Sequence, residues 1–490
     1  MHYRSITTMF LFLCLCCYGK AQDRSKRPNV LLIAIDDLRP DLGVYGNSVV
    51  QSPNIDAIGR EGIIFKNHYV NVPTCGASRH SFITGMRPRS TADLANTATE
   101  HALSRKPEPE TAESFIHLFK QNGYQTVGIG KITHSADGYN YGYLEEKSDK
   151  KELPHSWSEL IFNPGKWETG WNAFFGYADG SDRNHLDKQV PPFEHADVAD
   201  SGYPDGLTAE LAVQKLGELA QSETPFLLGV GFFKPHLPFN APQKYWDLYD
   251  ESAIELAPFR EVPANVNQAS LNTNGEFNQY ALGKEQAKLE EPLSDAYARE
   301  VMHGYYASIS YIDAQVGKLV GELKRLGLYE NTIIVIWGDH GWHLGDQNMW
   351  GKHTLFESAL KSAFIIKCPQ QKHSEAIETI VETVDIYPTL AELAGLPMSD
   401  SLDGESLVPY LLKPSLDETQ VAYSYFRQGI SMRTEDYRIT KYFRDAEPTI
   451  ELYDHRTDPN ESKNIAAENP EIVQELMLLL ENGNTGLYDN

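Results

Sequence analysis

Val30-Leu31-Leu32-Ile33-Ala34-Ile35-Asp36-Asp37 is the stretch from which the fold of this 490-residue chain can be read. Six consecutive apolar residues, two of them β-branched isoleucines and one a valine, leave no polar face, as expected of a strand covered on both sides in a parallel sheet. Two carboxylates follow at once. The same form recurs at Tyr124–Ile129, Phe226–Val230, Thr332–Trp337 and Ala363–Lys367, with helix-like segments between at Ala112–Asn122, Leu207–Ser222, Ala296–Leu326 and Val384–Ala394. Strands alternating with helices predict an α/β fold whose sheet is covered by helices on both faces. Ligands of such sheets gather at the carboxyl ends of the strands, so the residues just after each strand are the first candidates for a site.

Residues 141–205 and 258–295 lack periodicity and read as long loops over the sheet, the kind that more often carry function than decoration. Beyond Leu412 the character changes. Val421–Phe426, Tyr437–Phe443 and Thr449–Tyr453 are short strand candidates, followed by a helix at Pro470–Asn482, which together predict a small α+β unit with an antiparallel sheet. At the other end, His2 and Arg4 precede the apolar run Met9–Tyr18, and Gly19-Lys20-Ala21 follows it. That is the form of an export signal, and the run is too short to span a bilayer. Cys14, Cys16 and Cys17 each follow Leu or Cys, where lipidation requires a small residue. The expected division is a signal peptide at 1–21, a catalytic domain at 22–412 and a C-terminal subdomain at 413–490. The mature protein is expected to be periplasmic or secreted, without a transmembrane segment. Of five cysteines, Cys75 and Cys368 remain after signal removal, too few for a disulfide framework.

Lys+Arg number 43 against 68 Asp+Glu, a net charge of −25. Binding to nucleic acid needs the opposite balance. A small anion is not excluded, because a cationic pocket can sit within an acidic surface.

Asp36 and Asp37 repel each other unless a cation relieves them, and Asp339-His340 follow the Thr332–Trp337 strand in the same way. Oxygen-rich ligation of this kind suits Ca²⁺ or Mg²⁺. Cys75 opens Cys75-Gly76-Ala77-Ser78-Arg79-His80-Ser81-Phe82-Ile83-Thr84-Gly85, where Pro73 and Gly85 punctuate a short helix with Cys75 near its N-terminus.

With Cys75, Ala77, Arg79 and Thr84-Gly85 in this order, the segment resembles the signature of the type I sulfatases, in the alkaline phosphatase superfamily. The commoner motif has Pro where this chain has Ala77. The Asp36–Pro40 string, Ser52–Asp56, Gly130-Lys131, Lys234-Pro235-His236, Asp339–Trp342, Lys352 and Arg433–Arg438 are most similar to the iduronate-2-sulfatase branch. The resemblance implies a large mixed, mostly parallel sheet of the alkaline phosphatase type. It implies that a maturase converts Cys75 to formylglycine. One Ca²⁺ would be held by Asp36, Asp37, Asp339, His340 and an oxygen of the modified Cys75. Arg79 would support the modified residue and the metal, Lys131 and Lys352 would grip sulfate oxygens, His134 would orient or deprotonate the aldehyde hydrate, and His236 would protonate the leaving oxygen.

Trp342, His343, Trp350 and His353 flank these positions and are weaker candidates for gripping a sugar. The expected function is hydrolysis of sulfate esters on a polysaccharide or its oligosaccharides, bearing 2-O-sulfated uronic acid or a similar unit. Heparan- or dermatan-like chains and algal glycans such as ulvan or carrageenan both fit. A phosphomonoester or phosphodiester hydrolase of the same superfamily and an inactive glycan-binding homologue are the alternatives.

Overall fold

Eight segments form one sheet among the described residues: β1 (Asn29–Ile35), β2 (Ile63–Tyr69), β3 (Gln125–Gly130), β4 (Glu159–Ile161), β5 (Phe226–Phe232), β6 (Thr332–Gly338), β7 (Phe364–Lys367) and β8 (Glu375–Glu382). The computed structural model describes residues 27–369, 371, 373–413 and 420–488, so the export-signal reading lies outside it. The strand order is β8-β2-β7-β6-β1-β5-β3-β4. β1 sits inside and pairs in parallel with β5 and β6 along its whole length. Its side chains alternate between two cores. Leu31, Ile33 and Ile35 pack with helices α1 (Pro53–Glu61), and further on Pro204–Leu219 and Asp295–Arg325, while Val30, Leu32 and Ala34 face Phe82, Phe115 and Leu390 from helices on the other side. Burial on both faces explains the unbroken apolar run.

The sheet is mixed because β7 runs antiparallel to both its neighbours, β6 and β2. An apolar run buried on both faces looks the same in either direction. The direction is set by the connection from β6, which holds only a four-residue helix, Glu357–Leu360, rather than a long crossover helix. β2, β4 and β8 were not expected, and β4 is a three-residue strand within the segment 141–205 expected to be loop. Lys66 and Asn67 in β2, and three glutamates in β8, interrupt the apolar signal on a flank of the sheet.

In the C-terminal part, β9 (Ala422–Phe426), β10 (Gly429–Arg433), β11 (Tyr437–Tyr442) and β12 (Thr449–Asp454) form an antiparallel sheet in sequence order. The helix Pro470–Leu480 covers it through Leu476 and Leu480, against Tyr425, Ile430, Met432 and Ile439. β10 escapes the sequence reading because its hairpin turns on Arg427 and Gln428, both at positive φ (45° and 60°). Glycine or asparagine usually marks such a turn.

Candidate active site

The carboxyl ends of four adjacent strands converge on one place. β1 delivers Asp36 and Asp37, β6 delivers Asp339 and His340, β3 delivers Lys131, and β5 leads to His236. The turn at Lys131 depends on Gly130 at φ 71°, and on Gly231, whose absent side chain lets the Lys131 backbone pass: a Cβ there would lie 2.1 Å from the Lys131 carbonyl oxygen. Cys75 is the first residue of helix α2 (Cys75–Thr84), all ten of whose residues are buried. Asn96 accepts the Gly76 N–H at 2.9 Å, fixing the start of that helix against a neighbouring loop.

Arg79 lies one turn further along α2 with no solvent exposure. Its Nε donates to Asp339 at 2.9 Å and Nη2 to Asp36 at 3.0 Å, while Nη1 donates to the Ile132 carbonyl at 3.2 Å. Lys131 Nζ reaches Asp36 at 2.6 Å, and Lys352 Nζ reaches Asp37 at 2.9 Å. Burial alone would push Asp36 up, but Lys131 and Arg79 outweigh it and hold the carboxyl well below its usual range. Asp37 differs: burial prevails over Lys352 and His340 and pushes its carboxyl well up. Its backbone is held at φ 60°, with the Tyr305 hydroxyl donating to its carbonyl at 2.6 Å. Burial opposes the charge on Lys352, yet Asp37 and Glu276 prevail and raise its pKa well above normal.

His340 Nε2 lies 3.2 Å from the Cys75 sulfur and 3.4 Å from Asp37 Oδ1. His236 is bracketed by two acceptors, the Leu237 carbonyl at 2.6 Å from Nδ1 and Glu276 Oε1 at 3.0 Å from Nε2. Only a doubly protonated ring satisfies both, while burial and Lys352 oppose that charge and push its pKa down to about 4. His134 is driven well below its usual range by burial and Lys131, which makes it a neutral base, and its Nδ1 is buried without a partner.

Oxygens of Asp36, Asp37 and Asp339 lie within 4.8 Å of one another, as do ligand atoms of Asp37, Cys75 and His340. Three fully buried carboxylates form a hard donor set, and Asp37 is the charge a divalent cation would relieve most. These residues fit Ca²⁺ or Mg²⁺, whereas an unmodified thiol is too soft to complete such a set.

Residues 28–396 match the family model described as Sulfatase. The chain belongs to the sulfatase family. It is a sulfuric ester hydrolase of the alkaline phosphatase superfamily, and residues 338–484 also match the model described as N-sulphoglucosamine sulphohydrolase, C-terminal. Human iduronate 2-sulfatase is 33% identical over 75% of this chain and 69% of its own length. A solved structure described as complexed with its substrate D-glucosamine-2-N,6-O-disulfate superposes with a TM-score of 0.70 at 22% identity, covering 95% of this chain and 99% of the other. The phosphonate monoester hydrolase of Agrobacterium radiobacter superposes almost as well, with a TM-score of 0.69 at 23% identity, covering 93% and 96%. The fold alone therefore does not select the ester.

In this sulfatase, Cys75, Lys131, His134, His236, Lys352 and His353 line one cavity of about 290 Å³. Trp342 and His343 do not line it. Trp342 is fully buried beneath Lys352, whose Nζ lies 5.1 Å from its ring, and His343 is tied to Thr354 at 2.8 Å. Trp350 packs on Phe277, also outside the cavity lining. Asn96, Tyr143, Phe174, Phe175, Arg183, Glu276 and Gln279 complete the wall; of these the sequence offers only Tyr143 and Arg183, within the weak candidate segments Tyr139–Lys151 and Asp182–Asp187. Six of these seven lie in the two long loops at 141–205 and 258–295. Loops without periodicity carry no signal that distinguishes one acidic or aromatic residue from the next.

Proposed function

We propose that this sulfatase is exported and removes sulfate from a polysaccharide or its oligosaccharides, with 2-O-sulfated uronic acid or a similar unit as substrate. The human relative's name points to an iduronate ester. Heparan- or dermatan-like chains and algal glycans such as ulvan or carrageenan fit the same chemistry. The proposed division is a signal at 1–21, a catalytic domain at 22–412 and a C-terminal subdomain at 413–490.

The observation that carries this reading is the convergence, on one cavity, of Cys75 with two lysines and three histidines beside three buried carboxylates. Burial, then Asp36, push the Cys75 thiol up to about 12. A thiol that keeps its proton at neutral pH is a poor nucleophile, which favours conversion of Cys75 to formylglycine by a maturase. Asp36, Asp37, Asp339, His340 and the modified Cys75 would hold one Ca²⁺, which supplies positive charge to polarise the attacking hydroxyl and the sulfate. Arg79 keeps Asp36 and Asp339 in place. Lys131 and Lys352 offer ammonium groups to sulfate oxygens on which charge accumulates. His134 is the neutral base beside Cys75, and His236 gives a proton to the departing sugar oxygen.

The test is expression with a formylglycine-generating enzyme, followed by mass analysis of the Cys75 peptide and assays of sulfate and phosphate release. The expected result is a peptide lightened by the change from thiol to aldehyde, together with sulfate release. Phosphate release without sulfate release would sink this reading in favour of a phosphonate or phosphate ester hydrolase, which the shared fold permits. Full activity with wholly unmodified Cys75 would refute the nucleophile.

A further inference from the structure

Every cation at the reacting end of the cavity already has an acidic partner. Arg79 is held by Asp36 and Asp339, Lys131 by Asp36, and Lys352 by Asp37 and by Glu276 at 3.3 Å. Arg183 is different. It lines the same cavity, is only 5% exposed, and forms no ion pair among the described residues. Its guanidinium makes two long contacts to the side-chain oxygen of the adjacent Asn184, at 3.4 and 3.3 Å, and lies beside the neutral Tyr280 hydroxyl.

An unpaired guanidinium removed from water is costly unless an anion completes it. The surroundings orient this one rather than neutralise it. Its central carbon stacks 3.6 Å from the centre of the Phe175 ring, with the Tyr280 ring centre 5.5 Å away. The loop that carries it is tied down on both sides. The Arg183 N–H donates to the Phe175 carbonyl at 3.2 Å, and Asp182 accepts the N–H groups of Asn184 and His185 at 2.9 and 3.0 Å. A rigid guanidinium with open donors is preorganised for a planar two-oxygen partner.

We infer that Arg183 grips the carboxylate of a sulfated uronic acid while the groups around Cys75 engage the sulfate on the same sugar. The inference rests on the sulfatase reading of the cavity. It makes Arg183 a specificity-determining residue, because a site built to pair with a carboxylate rejects the analogue that lacks it. The small volume of the cavity suits one sugar unit bearing both anions.

The test compares a disaccharide ending in 2-O-sulfated uronic acid with its counterpart in which the carboxyl is reduced to a primary alcohol. The wild-type enzyme is expected to prefer the acid in kcat/KM. Arg183→Met, which keeps an apolar stem against Phe175, is expected to shrink the acid-to-alcohol ratio about a hundredfold, mainly through KM. Arg183→Lys should retain part of the ratio, and it carries the same comparison if the methionine variant does not fold. An unchanged ratio, or equal losses on both substrates, overturns the inference. So does a loss that follows a second sulfate added to the alcohol, which would make Arg183 a sulfate contact instead. Absence of sulfate release by the wild-type enzyme from both sugars and from 4-nitrophenyl sulfate is a separate result, and it sinks the sulfatase reading itself.

Discussion

Cys75 and serine differ by one atom, yet the proposed chemistry separates them sharply. A serine hydroxyl that accepted the sulfuryl group has no second hydroxyl with which to release it, whereas an aldehyde hydrate has. Cys75→Ser and Cys75→Ala are each expected to lower sulfate release by at least about a thousandfold. Their melting temperatures should stay close to that of the parent, since both substitutions keep or reduce the volume of a buried side chain. Steady-state turnover on an aryl sulfate, with thermal melting beside it, checks both statements. A serine variant that keeps turning over would contradict the mechanism.

Helix α1 shows how an element start can depend on a distant acid. Asp313, on the long helix Asp295–Arg325, accepts the N–H groups of Asn54 and Ile55 at 3.2 and 2.7 Å, in the first turn of α1. Burial nevertheless pushes its carboxyl from 3.8 up to about 6. Between those values the folded protein holds a proton that the unfolded chain has released, so this group's contribution is full below 3.8 and is lost as pH rises through 6. The loss is on the order of 3 kcal/mol. Asp313→Asn should flatten this part of the dependence, measured as melting temperature from pH 4 to 6.5, and an identical slope in the variant would contradict the assignment. Elements of this kind also mark the limit of what sequence discloses. β1 and β6 were legible because burial on both faces forces an unbroken apolar run, and the acids after them stand out against it. β8 was not, since this flanking strand carries three glutamates, of which Glu375 and Glu378 are exposed and Glu382 is buried against Arg87. Glu276 was invisible for another reason, and Arg183 stood out only as part of the weak Asp182–Asp187 candidate: their importance lies in what the loops bring beside them, Lys352 in one case and Phe175 in the other.

Across the whole molecule, the two sheets are joined by buried charge. Arg438 of β11 donates through Nε to Glu461 at 2.6 Å and also binds Glu357, from the segment between β6 and β7, while His455 meets Glu461 at 3.0 Å. Arg438→Met leaves the buried Glu461 with only His455, beside the partly buried Glu357 that Arg433 still meets at 3.3 Å, and is expected to cost about 3 kcal/mol, read from the midpoint of urea unfolding. A loss below about 1 kcal/mol would show that the cluster is well solvated in practice. Ca²⁺ is expected to act at the same scale. Saturating it at a hundredfold over its dissociation constant should add about 2.7 kcal/mol of stability, seen as a rise in melting temperature that EGTA reverses. An Asp37→Asn, Asp339→Asn variant should lose most of that rise.

The burial of helix α2 has a consequence for timing. Cys75 stands at its first residue, and every residue from Cys75 to Thr84 is inside the folded protein. A partner enzyme that had to grip this segment in extended form would find no handle on the finished molecule. On the proposed chemistry, oxidation of Cys75 would therefore belong to the interval between synthesis and closure of the helix against the sheet. A chain that folds first would be locked out of its own activation.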